Sequence, residues 1–132
     1  MSVGIDTSVL VRLLVGEPAD LTAKARSRLL AAHAAGEAVV ASDLVLAETW
    51  HALQHHYDFE EAAMREALLA MLATGLVELE PGSGAGAALR ERGSKRVGFV
   101  DRLIRARDEA GGRLTLTLDR AQARMGRAEY IG

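Results

Sequence analysis

The chain has 132 residues, 49% of them hydrophobic, and no cysteine. That length fits one domain, the apolar fraction excludes a disordered chain, and disulfides, thiolate zinc sites and cysteine nucleophiles are ruled out. The net charge of −2 hides an asymmetry: residues 1–89 carry net −7 and residues 90–132 net +5, so the last third is either a solvated basic face or a phosphate-binding flank beside an acidic site.

Val3–Asp6 reads as a short strand ending at an acid, and Thr7 or Ser8 is placed to cap a helix to about Val15. Pro18 suits the first turn of a second helix, whose apolar residues Leu21, Ala25, Leu29 and Ala32 recur at helical spacing until Gly36. Ala38–Ala41 is a buried strand. Ser42 caps a helix to about Tyr57, with Leu46, Trp50, Leu53 and Tyr57 along one stripe. Asp58, with Glu61 at the capping-box position, starts a helix that runs to Thr74 and stops at Gly75. Leu76–Leu79 is a third strand, closed by Pro81-Gly82. Residues 82–98 read as a loop with a short helix near 87–92. A helix from Phe99 to Ala110 ends at Gly111-Gly112. Leu114–Leu118 is a strand, a short helix follows Asp119, and 129–131 is a last edge strand.

Aromatics make up only 4% of the chain, so the core must be Leu, Val and Ala. The apolar stretch Val3–Val15 carries Asp6 and Arg12 and is no signal peptide. No apolar run approaches the ~20 residues that span a bilayer. A soluble cytoplasmic protein is expected, with residues 1–132 as one domain. Short apolar strands alternating with helices imply an α/β fold with a parallel sheet flanked by helices. Ligands of such sheets bind beyond the carboxyl ends of the strands.

Four acids stand out on that frame. Asp6 ends the first strand and Asp119 follows the strand Leu114–Leu118, both where an open α/β sheet keeps its site. Glu48 lies in the apolar segment Leu44–Ala47, where a carboxylate is costly unless it faces solvent or a cation. Asp101 lies in a first helical turn, which tolerates an anion. Each also has a plain structural reading: helix caps for Asp6 and Asp101, a turn for Asp119, an exposed helix position for Glu48. If the acids cluster, two carboxylates ~4 Å apart repel by about 1 kcal/mol in water and ~4 kcal/mol at an effective dielectric near 20. All-oxygen donors favour Mg²⁺ or Mn²⁺ over zinc, and such a site suits phosphodiester hydrolysis.

The segments Gly4-Ile5-Asp6-Thr7-Ser8-Val9-Leu10-Val11, Ser42-Asp43-Leu44-Val45-Leu46-Ala47-Glu48, Gly98-Phe99-Val100-Asp101-Arg102-Leu103-Ile104 and Leu116-Thr117-Leu118-Asp119-Arg120 resemble, in order and spacing, the four motifs of PIN domains. The length resembles the VapC-type toxins of toxin–antitoxin pairs. The resemblance implies a five-stranded parallel sheet of order 3-2-1-4-5 and Mg²⁺- or Mn²⁺-dependent endoribonuclease activity. It also implies a homodimer and an antitoxin whose tail covers the site. By position it makes Asp6, Glu48, Asp101 and Asp119 the catalytic, metal-binding acids and Thr117 a polar residue supporting them. Position 102 is Arg where many relatives carry a small or apolar residue, and Arg102 and Arg120 are candidate contacts for RNA phosphates.

Other signals are weaker. His51 and His55 have metal-ligand spacing, but Ala52 stands where an HExxH protease needs Glu. The glycines of 82–86 lack the Lys-Ser/Thr of a P-loop. A haloacid-dehalogenase-like phosphohydrolase would need a second Asp at position 8, which is Ser. A PIN fold that only binds RNA or protein is the remaining alternative.

Overall fold

The computed structural model describes residues 1–91 and 97–132. The chain packs as two compact units, Met1–Glu80 and Pro81–Gly132.

The first unit holds β1 (Ser2–Gly4), α1 (Thr7–Val15), α2 (Ala19–Ala34), β2 (Ala38–Ala41), α3 (Asp43–His55), α4 (Glu61–Ala73) and β3 (Glu78–Leu79). Its strands are parallel, with Val3 opposite Val39 and Val40 opposite Glu78. Parallel neighbours need long crossovers, and two helices fill each of them. Gly16, at φ 80°, closes α1 with a left-handed turn whose N–H donates to Arg12 O at 2.8 Å, a conformation glycine adopts without strain. Ser42 begins α3: its hydroxyl accepts the Val45 N–H at 3.2 Å, as a serine N-cap should. Leu46, Trp50 and Leu53 are buried along one stripe of α3, packed in a core with Leu10, Val39, Met64 and Leu68.

Three starts differ from the sequence reading. Asp6, not Thr7 or Ser8, holds the N-cap position of α1. Pro18 occupies the N-cap position of α2 rather than its first turn. Glu60, not Asp58, precedes α4. Asp58 sits at φ 54°, whereas an N-cap needs extended backbone, so the Asp58–Glu61 capping box does not form. The stripe also ends one turn early, because α3 stops at His55 and Tyr57 is exposed.

The second unit holds α5 (Ala85–Arg90), α6 (Phe99–Ala110), β4 (Thr115–Thr117), α7 (Arg120–Ala123) and β5 (Ala128–Tyr130). The expected end of the short helix at 92 lies outside the described residues. β4 runs parallel to β5, with Leu116 opposite Glu129. Gly84 lets the start of α5 approach α6 closely: a Cβ there would lie 2.4 Å from Arg107 N and 2.8 Å from Ala106 C. Leu89, Phe99 and Leu103 are buried in this unit, and so are two arginines. Arg102 is fully buried; its Nε donates to Ala88 O at 3.3 Å and its Nη1 to Val97 O at 2.8 Å. The Arg105 Nη2 donates to both carboxylate oxygens of Glu91 at 2.9 Å, and its Nη1 reaches Glu109 Oε2 at 3.4 Å. β4 reverses the usual alternation: Thr115 and Thr117 are buried while Leu114, Leu116 and Leu118 are exposed.

The sheet is the main correction to the expected architecture. Instead of one five-stranded sheet, the strands form a three-stranded sheet of order β1-β2-β3 and a two-stranded sheet β4-β5. The expected neighbours 3-2, 2-1 and 4-5 are all present; the 1-4 pairing is absent among the described strands. Alternation and apolar runs mark where strands are, but not which edges join, and parallel ladders are the weaker pairing per residue. No helix among the described residues is long and apolar enough to cross a membrane.

Candidate functional site

In the first unit, Asp6 follows β1 and takes the N-cap position of α1 with extended backbone (φ −88°, ψ 163°), yet its side chain makes no capping bond. Its Oδ2 instead accepts the Ser8 hydroxyl at 3.1 Å. The carboxylate is exposed, so the simple cap reading does not account for it. Glu48 is also exposed, on α3, and its Oε2 accepts the Thr7 hydroxyl at 3.2 Å. Thr7 is the residue next to Asp6, so one short contact between α1 and α3 brings the two acids into the same neighbourhood. The start of α3 is fixed from a second side as well. Glu80, just after β3, accepts the Asp43 N–H through Oε2 at 2.6 Å, satisfying a backbone donor that a helix start leaves open.

In the second unit, Asp101 is the third residue of α6, half-buried in its first turn, where the helix dipole favours a negative charge. Asp119 caps α7: its Oδ1 accepts Ala121 N–H at 2.8 Å and Gln122 N–H at 3.3 Å. It is thus a helix cap rather than a turn residue, and its Oδ2 has no partner among the described residues. Thr117 is buried; its Oγ1 accepts the Asp119 N–H at 2.9 Å and its hydroxyl donates to Gln122 Oε1 at 2.8 Å. Gln122 Nε2 donates to Asp101 O at 3.1 Å. Asp101, through its backbone carbonyl, and Asp119, through its capping carboxylate, are therefore both bonded to the buried Gln122.

The acids are placed as two pairs, Asp6 with Glu48 and Asp101 with Asp119, each within its own unit. Among the described residues, no three His, Cys, Asp or Glu side chains are grouped so as to hold a metal ion. The donor chemistry of each pair nonetheless suits a hard cation, since all the groups are carboxylates with oxygens left open. His51 and His55 lie side by side on exposed faces of α3, ring centroids 4.4 Å apart. A cleft of about 600 Å³ in the first unit, lined by residues including Leu13, Leu30, His33 and Met71, contains none of the four acids.

The two arginine candidates separate. Arg102 is buried and bonded to backbone carbonyls, which removes it from any surface that RNA could touch. The reading of the basic run as an exterior feature fails there because a guanidinium, with five donors, can be satisfied inside by carbonyl oxygens. Arg120 is exposed, its guanidinium carbon 4.6 Å above the Tyr130 ring, a cation–π distance.

Sequence reasoning missed Glu80 and Gln122, and it gave Thr7 and Ser8 only a capping role, not their contacts with Glu48 and Asp6. Only Gln122 had a signal: Asp119 and Gln122 stand at capping-box spacing.

The sequence matches the family model for the PIN domain over residues 3–128. No curated protein and no solved structure matches the chain significantly.

Proposed function

The chain belongs to the PIN-domain family, and on that premise we propose that it is a Mg²⁺- or Mn²⁺-dependent endoribonuclease acting as the toxin of a toxin–antitoxin pair. PIN domains are typically metal-dependent nucleases, and the match over residues 3–128 is the observation that carries the reading. Asp6 and Glu48 in the first unit and Asp101 and Asp119 in the second are the carboxylates that would hold divalent cations. A divalent ion would supply activation of water and stabilisation of charge on the phosphodiester.

The remaining chemistry belongs to the chain itself. Ser8 and Thr7 orient the Asp6 and Glu48 carboxylates through the hydroxyl contacts at 3.1 and 3.2 Å. Thr117 supports Asp119 from its backbone side at 2.9 Å rather than acting as a ligand. Arg120, exposed beside Asp119, contacts an RNA phosphate in this reading, as a guanidinium does well. The partners are an RNA substrate, a second copy of the chain and a protein antitoxin, and the place of action is the cytoplasm.

Cleavage of RNA by the purified chain with Mn²⁺, its loss with EDTA, and its loss on Asp6→Asn test the activity. Metal-dependent cleavage that survives Asp6→Asn would sink the assignment. Neutralisation by the product of a neighbouring reading frame tests the toxin role.

A further inference from the structure

We propose that Gln122 is a positioning residue that locks Asp101 and Asp119 into a single cation-binding piece. The inference rests on the nuclease reading above for what the two acids hold; the geometry that carries it is independent of that reading.

The direction of every hydrogen bond around Gln122 follows from chemistry. Asp101 O only accepts, so the amide nitrogen of Gln122 must face it, at 3.1 Å. Its oxygen then faces Thr117, whose hydroxyl must donate, at 2.8 Å. That leaves a lone pair of Thr117 Oγ1 to accept the Asp119 N–H, at 2.9 Å. The backbone N–H of Gln122 donates to Asp119 Oδ1 at 3.3 Å. One chain of bonds thus runs from the backbone of Asp119 through Thr117 and Gln122 to the backbone of Asp101, with its middle links buried.

The comparison with an ordinary helix start sharpens the point. In a capping box, the residue at the Gln122 position turns back to the N–H of the cap residue. Here Thr117 takes that N–H, and the Gln122 side chain is released to cross to α6, 21 residues earlier in the sequence. A local cap needs no such crossing. Its effect is to fix the third residue of α6 against the first turn of α7, the two places from which the acids of this unit project. Partners that orient ligands in this way, without touching the ion, typically change metal affinity by 10–100-fold when removed.

The test is Mn²⁺ binding to the full chain, followed by the electron paramagnetic resonance of the free ion, at a temperature where circular dichroism shows every variant folded. Gln122→Met, close in size but without the amide, should bind Mn²⁺ about 10–100-fold more weakly. The Mn²⁺ concentration for half-maximal RNA cleavage should rise in step. Leu89→Val, a core change on α5 of the same unit, should lower the urea midpoint but leave Mn²⁺ affinity unchanged, which separates positioning from general destabilisation. If Gln122→Met does not fold, Gln122→Ala is read instead: it removes both side-chain bonds without adding charge and should weaken Mn²⁺ binding in the same direction. Wild-type affinity in the variant that folds overturns the role of Gln122 alone. A wild-type chain that binds no Mn²⁺ overturns the nuclease reading and this inference with it.

Discussion

Replacing Thr117 by valine isolates one oxygen atom. The two side chains have the same shape, and the residue is 8% exposed, so the change keeps packing and deletes a hydroxyl that accepts from Asp119 N at 2.9 Å and donates to Gln122 Oε1 at 2.8 Å. Each partner left unsatisfied in a buried place costs about 1–3 kcal/mol, and the methyl put in place of the hydroxyl returns about 0.8 kcal/mol. With two such partners the net destabilisation is about 3 kcal/mol. Thr117→Ser keeps the hydroxyl and loses one methyl, at about 0.8 kcal/mol. Urea unfolding followed by far-ultraviolet circular dichroism measures both. In thermal unfolding of a chain of this length, valine should lower the melting temperature by roughly 9–15 °C and serine by about 2–4 °C. If serine costs as much as valine, or valine is neutral, the hydroxyl is not the link described here and the methyl's packing explains the threonine.

Asp6→Asn and Asp119→Asn should each abolish RNA cleavage while shifting stability by less than about 0.5 kcal/mol. Asp6 makes no capping bond, and asparagine caps α7 about as well as aspartate; a large loss of stability in either would point to a structural role. Gly84→Ala should cost at least about 1–3 kcal/mol, because the new methyl meets backbone atoms of α6 at 2.4 and 2.8 Å, and a variant as stable as wild type in urea would refute the close approach. Leu53→Ala, at a position with no exposed surface, should cost about 2–5 kcal/mol; a midpoint unchanged in urea would place Leu53 outside the core.

The sequence was most legible where glycine and serine punctuate it. β2 and α6 lie as the pattern predicts, bounded by Gly36 and Ser42 in one case and by Gly98 and Gly111 in the other. The α4 start was misread because Asp58-x-x-Glu61 has the right spacing but a left-handed first residue, and φ does not show in a one-letter code. The same spacing at Asp119-x-x-Gln122 does form a cap. Arg102 and the threonines of β4 were hidden for one reason: apolar periodicity assumes that charge and hydroxyls face out, and here they are held inside by specific acceptors. The four acids were legible as candidates because each stands at the end of a strand or the start of a helix, or within an apolar run. The hydroxyl and amide partners that hold them were not, since such contacts join distant residues whose types are common everywhere.

The arginines inside the second unit bear on how the protein responds to heat. A leucine core draws on a driving force that levels off as temperature rises, whereas the penalty for removing a charged group from water falls on heating, because ion hydration carries a strongly negative entropy. Arg105, with its guanidinium nitrogen 2.9 Å from both oxygens of Glu91, and Arg102, enclosed by Ala88 and Val97 carbonyls, are contacts of the second kind. The segment from Pro81 onward therefore carries enclosed charge whose cost of burial falls as the protein warms.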